Sequence, residues 1–583
     1  MANFFTDNED IQFLFQHMNL ARVAALKEED FRYAREFDFA PADPEEAINN
    51  YRRILDVIGE IAGERVAPTA AETDTIGNTL NADGSVTYAP GIAEAIKLMG
   101  QADVMGFTLP YRYGGLNGPH LLYTMSNDIV SRADAALMNI YGLQGIAETI
   151  NLFASEEIKQ DYLPRMASGE WTGAMVLTEP DAGSDLQAVK TKAYQNAEGQ
   201  WLVRGVKRFI TNGCGEVLLV LARTEPEIAD GRGLSCLLVE RGPRVRVRRL
   251  ENKLGIHGSP TCEIFFDDAP AKLIGERRRG LITYVMSLMN GARIGIAAQS
   301  LGIGEAAYRV ARDYAHSRKQ FNTAIENFPS VRDLIVDMSL DVQAARALSY
   351  FAAFSVDLEE GFGKRLGAAR GADPDQIKRL RADERKYKAF NKMLTPMAKY
   401  YASEMSMRVS NSSMAVLGGS GYMKDYAVER HLRDSRITTI YEGTSQLQVV
   451  ASLAGVMGET VSDVIQEIQD DRVWPHEIET LVVHIREGQA LLAESVAFVK
   501  TQTSSNAYRD LHGRKLVDMA IDLIVAALFC DHATASPKKL LVAKRWIAER
   551  IPRVRMLKEQ VCSGEISTLT DFEALAGPLP VAD

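Results

Sequence analysis

The apolar residues change their period twice along this chain, and those two changes limit its folds more than any other feature. Up to about residue 165 they recur at helical spacing. Ala47 to Ala67 carries Ile48, Ile54, Leu55, Ile58 and Ile61 near one face. Pro68 is expected to end that helix, because proline removes a backbone donor and clashes with the preceding turn. Met99 to Gly118 reads as a turn-rich break, Leu121 to Leu163 as helical again, with Pro164 closing it. From Trp171 short runs replace helices: Gly173–Leu177, Trp201–Arg204, Arg208–Thr211, Val217–Arg223, Leu234–Val239 and Arg244–Leu250. Runs of this length between Gly, Pro, Asn and Asp predict a small antiparallel barrel or sandwich of about 100 residues, ending near Gly275.

From Leu281 to about Ala454 helical spacing returns, with Leu334, Ile335, Met338, Val342 and Ala345 on one face. Within it, Gly363 to Lys388 reads as a loop followed by an exposed helix, and its Lys378, Arg379, Arg381, Arg385 and Lys386 as a solvated face. Glu459 to Asp583 is a further helical segment in which Leu481–Val499 and Leu516–Cys530 read as amphipathic. The expected fold is mainly α with a small β domain. A helical domain spans 1–168, a β-barrel 169–280, a helical bundle 281–456 and an additional helical domain 457–583.

Composition narrows the function. Acidic residues outnumber basic ones, 77 against 66, which argues against a protein that coats nucleic acid. Five cysteines without a CxxC pair argue against a disulfide framework or a zinc ribbon and fit a reducing, cytoplasmic setting. Met1 to Asp10 lacks the form of a secretory signal. The apolar stretch Met519–Cys530 is too short for a bilayer core of about 30 Å and contains Asp522, so no stable membrane insertion is expected. Gly302-Ile303-Gly304-Glu305-Ala306-Ala307 spells a dinucleotide fingerprint, but it falls inside the helical stretch Arg293–Ala311 rather than after a strand. No HExxH, GxSxG or P-loop is present, so metal, serine-hydrolase and nucleotide-triphosphate chemistry have no support.

Three segments do carry chemistry. Leu177-Thr178-Glu179-Pro180-Asp181-Ala182-Gly183-Ser184-Asp185 leaves a strand through hydroxyls and a Pro/Gly turn, which offers donors to a ring with acceptors or to a pyrophosphate. Phe209-Ile210-Thr211-Asn212-Gly213 ends another strand in an aromatic, a hydroxyl and a turn. Gly418-Gly419-Ser420-Gly421-Tyr422, then Arg430 and Asp434, precede Ile440-Tyr441-Glu442-Gly443-Thr444-Ser445-Gln446, a loop with one carboxylate among apolar and hydroxyl neighbours. A glutamate closed off by apolar bulk has a raised pKa, near the working pH of a general base. Whether Ile440 and Tyr441 are core packing or meet the substrate stays open.

In this order, together with Phe107-Thr108-Leu109-Pro110, Ser131-Arg132-Ala133-Asp134-Ala135, Lys253-Leu254-Gly255-Ile256, Gly275-Glu276 and Arg318-Lys319-Gln320-Phe321, the segments resemble the acyl-CoA dehydrogenase family over roughly Glu45 to Leu453. That family has an N-terminal helical domain, a middle β-barrel and a C-terminal four-helix bundle. The extra C-terminal helices resemble an enlarged subgroup that includes 3-methylthiopropionyl-CoA dehydrogenase-like enzymes. The resemblance implies a bound FAD: Leu177 and Thr178 at the pyrimidine side of its ring, Ser184 at the pyrophosphate, Phe209 flanking the ring, Thr211 near N5, and Thr444 and Gln446 in further contact. It implies that Arg318 and Phe321 reach the FAD of a neighbouring subunit, hence a dimer or tetramer. Glu442 would be the catalytic base, with Tyr441 and Gly443 beside the substrate and the Glu442 backbone N–H on the thioester carbonyl. Fatty-acid β-oxidation of an acyl-CoA, with electrons passed to an electron-transferring flavoprotein, is the implied activity. An acyl-CoA oxidase, or a silent acyl-CoA-binding protein, is the alternative. Two positions depart from the family: Ala415 stands where glutamine is usual, and Asn322 where glycine is usual. Arg277-Arg278-Arg279 reads as a surface loop in preference to a contact for the CoA phosphates.

Overall fold

The computed structural model describes residues 2–369, 371, 373–470, 472–502 and 505–579. The chain packs as two compact units, Met1–Asn391 with Ala398–Ser445, and Lys392–Met397 with Gln446–Asp583.

In the first unit a seven-stranded sheet follows the N-terminal helices. Its strands are β1 (Gly173–Val176), β2 (Lys192–Gln195), β3 (Trp201–Thr211), β4 (Val217–Arg223), β5 (Leu234–Glu240), β6 (Val245–Leu250) and β7 (Thr261–Ile274). The order β1-β4-β2-β3-β7-β5 is closed by a β4–β5 pairing, and β6 pairs with β7. The barrel expectation holds with two corrections. β1 and β4 run parallel, Gly173 opposite Val217, so the sheet is mixed. The two runs read as Trp201–Arg204 and Arg208–Thr211 are one strand, broken by register shifts at Val203/Gly205 and Lys207/Ile210. β2 and β7 were not legible. The inward side chains of β7 switch from Cys262, Ile264 and Phe266 to Ala269, Ala271 and Leu273 across the left-handed Asp268, so no single alternation runs through its sequence.

β4 shows why this sequence makes this barrel. Its uninterrupted apolar run is buried on both faces. Leu218, Val220 and Ala222 join Val176, Val203, Leu237 and Phe266 inside the barrel. Val217 and Leu219 pack outward on Ile146, Tyr162 and Met166 of the helices that precede the sheet.

The helices of this unit that frame the site are α1 (Pro44–Glu60), α2 (His120–Ala133), α3 (Ala135–Tyr141), α4 (Met286–Ser317), α5 (Pro329–Ala368), α6 (Pro374–Leu417) and α7 (Val428–Thr438). α2 packs on α4 and α5, and α4 on α5 and α7. The fingerprint-like glycines Gly302 and Gly304 lie in mid-α4, as expected. Fully buried Arg346 on α5 binds Asp10 (2.7 Å), Asp128 (2.9 Å) and Glu305 (2.9 Å). Three helix boundaries differ from expectation. Past α1 a wide turn Ile61–Val66 and a tight turn Ala67–Thr69 carry the chain through Pro68 into a helix at Ala70–Ile76. Pro164 sits inside the helix Glu156–Ala167. The loop expected from Gly363 is short: α5 runs to Ala368 and α6 starts at Pro374, capped by Asp373. The expected solvated face is there, with Lys378, Arg379, Arg381 and Arg385 exposed.

Gly280–Ser317, which contains α4, is long and apolar enough to cross a membrane by length and composition. It packs as a helix of the bundle, whereas the sequence points to Met519–Cys530 as the longest apolar stretch.

In the second unit α8 (His476–Thr501), α9 (Ser505–Ala533) and α10 (Pro537–Val561) pack pairwise, with Thr460–Gln469 on α9. Met519–Cys530 is buried on every face, so this stretch is a core helix and not the amphipathic one expected. Its one carboxylate, Asp522, is bound by Arg553 at 2.6 Å.

Candidate active site

β1 delivers Leu177 and Thr178 to one rim of the barrel, and two residues of β3 hold them there. The Lys207 ammonium, fully buried, donates to the Leu177 carbonyl (2.8 Å) and lies 2.9 Å from Glu179 Oε1. The Arg208 N–H donates to the Thr178 carbonyl (2.9 Å). Glu179 in turn accepts the N–H groups of Lys190 (2.7 Å) and Thr191 (2.9 Å). Burial pushes Lys207 down to about 8, with Glu179 opposing the shift. Burial also works against the Glu179 carboxylate, but Lys207 and the N–H donors carry it below its ordinary value.

The register shift between Lys207 and Ile210 turns Phe209 out of the barrel. Its backbone is left-handed (φ 61°) and its ring is 53% exposed, with the Arg208 guanidinium 4.7 Å from its centre. A left-handed non-glycine residue costs about 1 kcal/mol, and an exposed aromatic face beside Leu177 and Thr178 is what that strain leaves. Thr211 ends β3, half-buried, opposite Thr261. Buried Asn212 follows and donates to Thr172 Oγ1 (3.1 Å) and the Gly173 carbonyl (3.0 Å), tying the end of β3 to the start of β1. Ser184 is exposed past the Glu179–Ala182 turn.

Arg318 and Phe321 lie on another element, a hairpin after α4 that pairs Lys319–Gln320 with Thr323–Ala324. Phe321 is 90% exposed. Phe321 and Asn322 have φ of 50° and 62°, the two left-handed residues of a tight hairpin turn, so asparagine serves where glycine is usual. Ala415 is exposed on α6 and offers no polar group. Arg277 pairs with Glu225 (2.6 Å) and Arg279 donates to Thr283 (3.1 Å), which agrees with the surface-loop reading.

Glu442 stands where the chain reverses after α7. Glu442 (φ 54°) and Gly443 (φ 88°) are consecutive left-handed residues, and the Ser445 N–H returns to the Thr439 carbonyl at 3.0 Å. Burial pushes the Glu442 carboxyl up to about 7, against the pull of Lys399 on α6 and Arg293 on α4. Lys399 is fully buried and donates to the Gly443 carbonyl at 2.7 Å. Neither cation was legible as a site residue. Each is one of several basic residues in a long helix, and only the packing of α4 and α6 gives it a role. Ile440 is 45% exposed and is not core. The Tyr441 hydroxyl lies on Gln299 Oε1 and is 3.1 Å from Asn139 Oδ1. The Gln299 amide donates to Asn139 Oδ1 and to the Ala135 carbonyl, both at 2.8 Å, and Asn139 donates to Ser259 (3.2 Å). This network fixes Tyr441 against α3, α4 and the barrel. Thr444 is half-buried in the same loop, and Gln446 opens the helix Ser445–Val456 with its side chain exposed.

Lys253-Leu254-Gly255-Ile256 clips the barrel to α7. A Cβ on Gly255 would lie 2.6 Å from the Arg433 carbonyl carbon and from Asp434 Oδ1, so only glycine allows the approach. The Ile256 N–H donates to Asp434 at 2.5 Å, and burial pushes that carboxyl up to about 7. A cavity of about 250 Å³ beside the clip is lined by residues including Asp74, Glu251, Lys253 and His257, and by none of the predicted site residues. No metal centre was expected. The structure does bring His120, Glu148 and Glu360 together, with buried His120 placing its Nε2 3.0 Å from the half-exposed Glu360 and 3.4 Å from Glu148.

The exposed Phe209 face, the Leu177–Thr178 rim and the exposed Ser184 fit an aromatic cofactor that carries a pyrophosphate, which is the form of FAD. Family models described as the N-terminal, middle and C-terminal domains of acyl-CoA dehydrogenase match residues 49–170, 174–269, and 279–372 with 375–456. An acyl-CoA dehydrogenase of Bacillus subtilis is 36% identical over 375 residues, 63% of this chain and 90% of that protein. A 3-methylmercaptopropionyl-CoA dehydrogenase of Ruegeria pomeroyi is 30% identical over 432 residues, 69% of each. A solved acyl-CoA dehydrogenase complexed with FAD, from Bacillus anthracis, shares the fold with a TM-score of 0.74 at 22% identity, over 91% of this chain and 92% of that one.

Proposed function

From the premise that the chain belongs to the acyl-CoA dehydrogenase family and takes FAD as its cofactor, we propose that it removes the α-proton and the β-hydride of an acyl-CoA thioester to give the trans-2-enoyl-CoA, with Glu442 as the base. The observation that carries this is the Glu442 carboxyl itself. It sits on a left-handed reversal, and burial raises its pKa to about 7, close to the working pH at which a general base performs best. Glu442 takes the α-proton onto a carboxylate oxygen. The Glu442 backbone N–H steadies the thioester oxygen as charge develops on it, the kind of preorganised donor that is often the larger contribution. FAD, when bound, supplies the hydride acceptor at its N5.

Leu177, Thr178, Phe209 and Thr211 would hold the ring, and Ser184 the pyrophosphate, with Thr444 and Gln446 in contact. Tyr441 and Gly443 would border the acyl group. Arg318 and the 90% exposed Phe321 would complete the FAD site of a second copy, in a dimer or tetramer. An electron-transferring flavoprotein would receive the electrons.

The test is to mix the FAD-loaded protein anaerobically with a panel of acyl-CoAs and follow loss of flavin colour, beside Glu442→Gln. The variant is expected to keep FAD and to bleach at least 10²-fold more slowly, in line with the roughly 10²–10⁴-fold contribution of a general base. Bleaching at the wild-type rate removes Glu442 from this role. Stoichiometric peroxide with substrate and oxygen alone would replace the flavoprotein acceptor with an oxidase.

A further inference from the structure

Glu442 is delivered by a strained turn, and one side chain from another helix grips that turn. Two successive left-handed residues are needed, Glu442 at φ 54° and Gly443 at φ 88°. Glycine adopts this freely, but the glutamate costs about 1 kcal/mol and needs surrounding structure to hold it. The backbone bonds of the turn, Tyr441 N–H to the Ile437 carbonyl and Ser445 N–H to the Thr439 carbonyl, leave the Gly443 carbonyl to another donor. Lys399 Nζ supplies it at 2.7 Å from inside α6, fully buried.

Resting on the reading of Glu442 as the base, we propose that Lys399 is its positioning residue: it anchors the Gly443 carbonyl, so holding the Glu442–Gly443 turn in register with the substrate, and sets the proton affinity of the carboxylate through its charge.

A buried ammonium is costly to maintain, and a helix-borne lysine used only for packing would be as well served by methionine. Among the described residues, the charged and titratable groups facing this site include Arg293 from α4, Glu404 and Lys399 from α6, Asp434 from α7, and Tyr441 and Glu442 from the loop. Burial brings Lys399 down to about 7, with Glu442 opposing and Arg293 adding to the shift. Lysine and glutamate therefore exchange charge over the same pH range. Glu442 feels a cation from Lys399 only while both are charged, and loss of that cation raises the pH at which the carboxylate forms.

The experiment compares FAD-loaded wild type, Lys399→Met, Lys399→Gln, Lys399→Arg and Glu442→Gln in the full chain, following acyl-CoA bleaching of the flavin from pH 5.5 to 9. Lys399→Met is expected to keep FAD, to move the acid limb up by roughly one pH unit, as loss of a near opposite charge does, and to slow the plateau about tenfold or more through lost alignment. Lys399→Arg restores the midpoint. An unchanged midpoint and plateau in Lys399→Met overturns the proposal. If Lys399→Met cannot hold FAD, Lys399→Gln gives the same reading: a raised midpoint supports the proposal and an unchanged one overturns it. Loss of FAD from both neutral variants assigns Lys399 to the fold and overturns it as well. Normal bleaching by Glu442→Gln overturns the base assignment itself. Absent bleaching there, with an unmoved Lys399→Met midpoint, overturns only the lysine's role.

Discussion

Glu442→Gln is expected to stabilise the protein above neutral pH while it slows bleaching of the flavin by acyl-CoA. Burial raises the Glu442 carboxyl from 4.5 to about 7 on folding, because water is withdrawn from the charged form and the attraction of Lys399 and Arg293 recovers only part of that loss. A group with a raised folded pKa favours the fold fully below its unfolded value, and loses that advantage as pH rises through its folded value. At about 1.4 kcal/mol per pH unit, the ionised carboxylate costs up to about 3 kcal/mol at pH 8. The side chain keeps partial exposure, so roughly 1–3 kcal/mol should be measured. Glutamine has the same shape without the charge. The assay is denaturant unfolding of the FAD-loaded wild type and variant at pH 5 and pH 8. The curves should nearly coincide at pH 5, and the variant should be the more stable at pH 8. Equal stability at pH 8, or a weaker variant, would refute the claim that this carboxylate is held against its own hydration.

Flavin bleaching by wild type should rise with pH through about 7, because only the ionised Glu442 accepts a proton; a rate flat between pH 6 and 8 contradicts the raised pKa. Arg346→Met leaves the carboxylates of Asp10, Asp128 and Glu305 without their shared cation. Unfolding at pH 7 should show a loss of about 3–5 kcal/mol. Lys207→Met strands Glu179 and frees the Leu177 carbonyl. The flavin-to-protein ratio after gel filtration should fall at least severalfold, and full retention of FAD would show that the rim does not depend on this lysine.

The order of the chain was legible because period is local. Apolar spacing marks a helix or a strand wherever it occurs, so the helix–strand–helix alternation and the strand β4 could be read directly. So could the chemical character of Glu442, since a carboxylate between apolar residues and a glycine is a short-range pattern. Pro164 misled because a proline near the end of a helix breaks little when the helix stops one turn later, at Ala167. β7 hid because its inward face switches parity at the left-handed Asp268, so neither half alternates for long. What tertiary packing alone decided is the environment of the carboxylate: Arg293 and Lys399 come from separate helices, and Asn139 and Gln299 reach Tyr441 from two more positions far apart in the chain. Desolvation and charge act through space over a few ångströms. Residues far apart in the chain therefore set the proton affinity of a group whose identity was plain from its own loop.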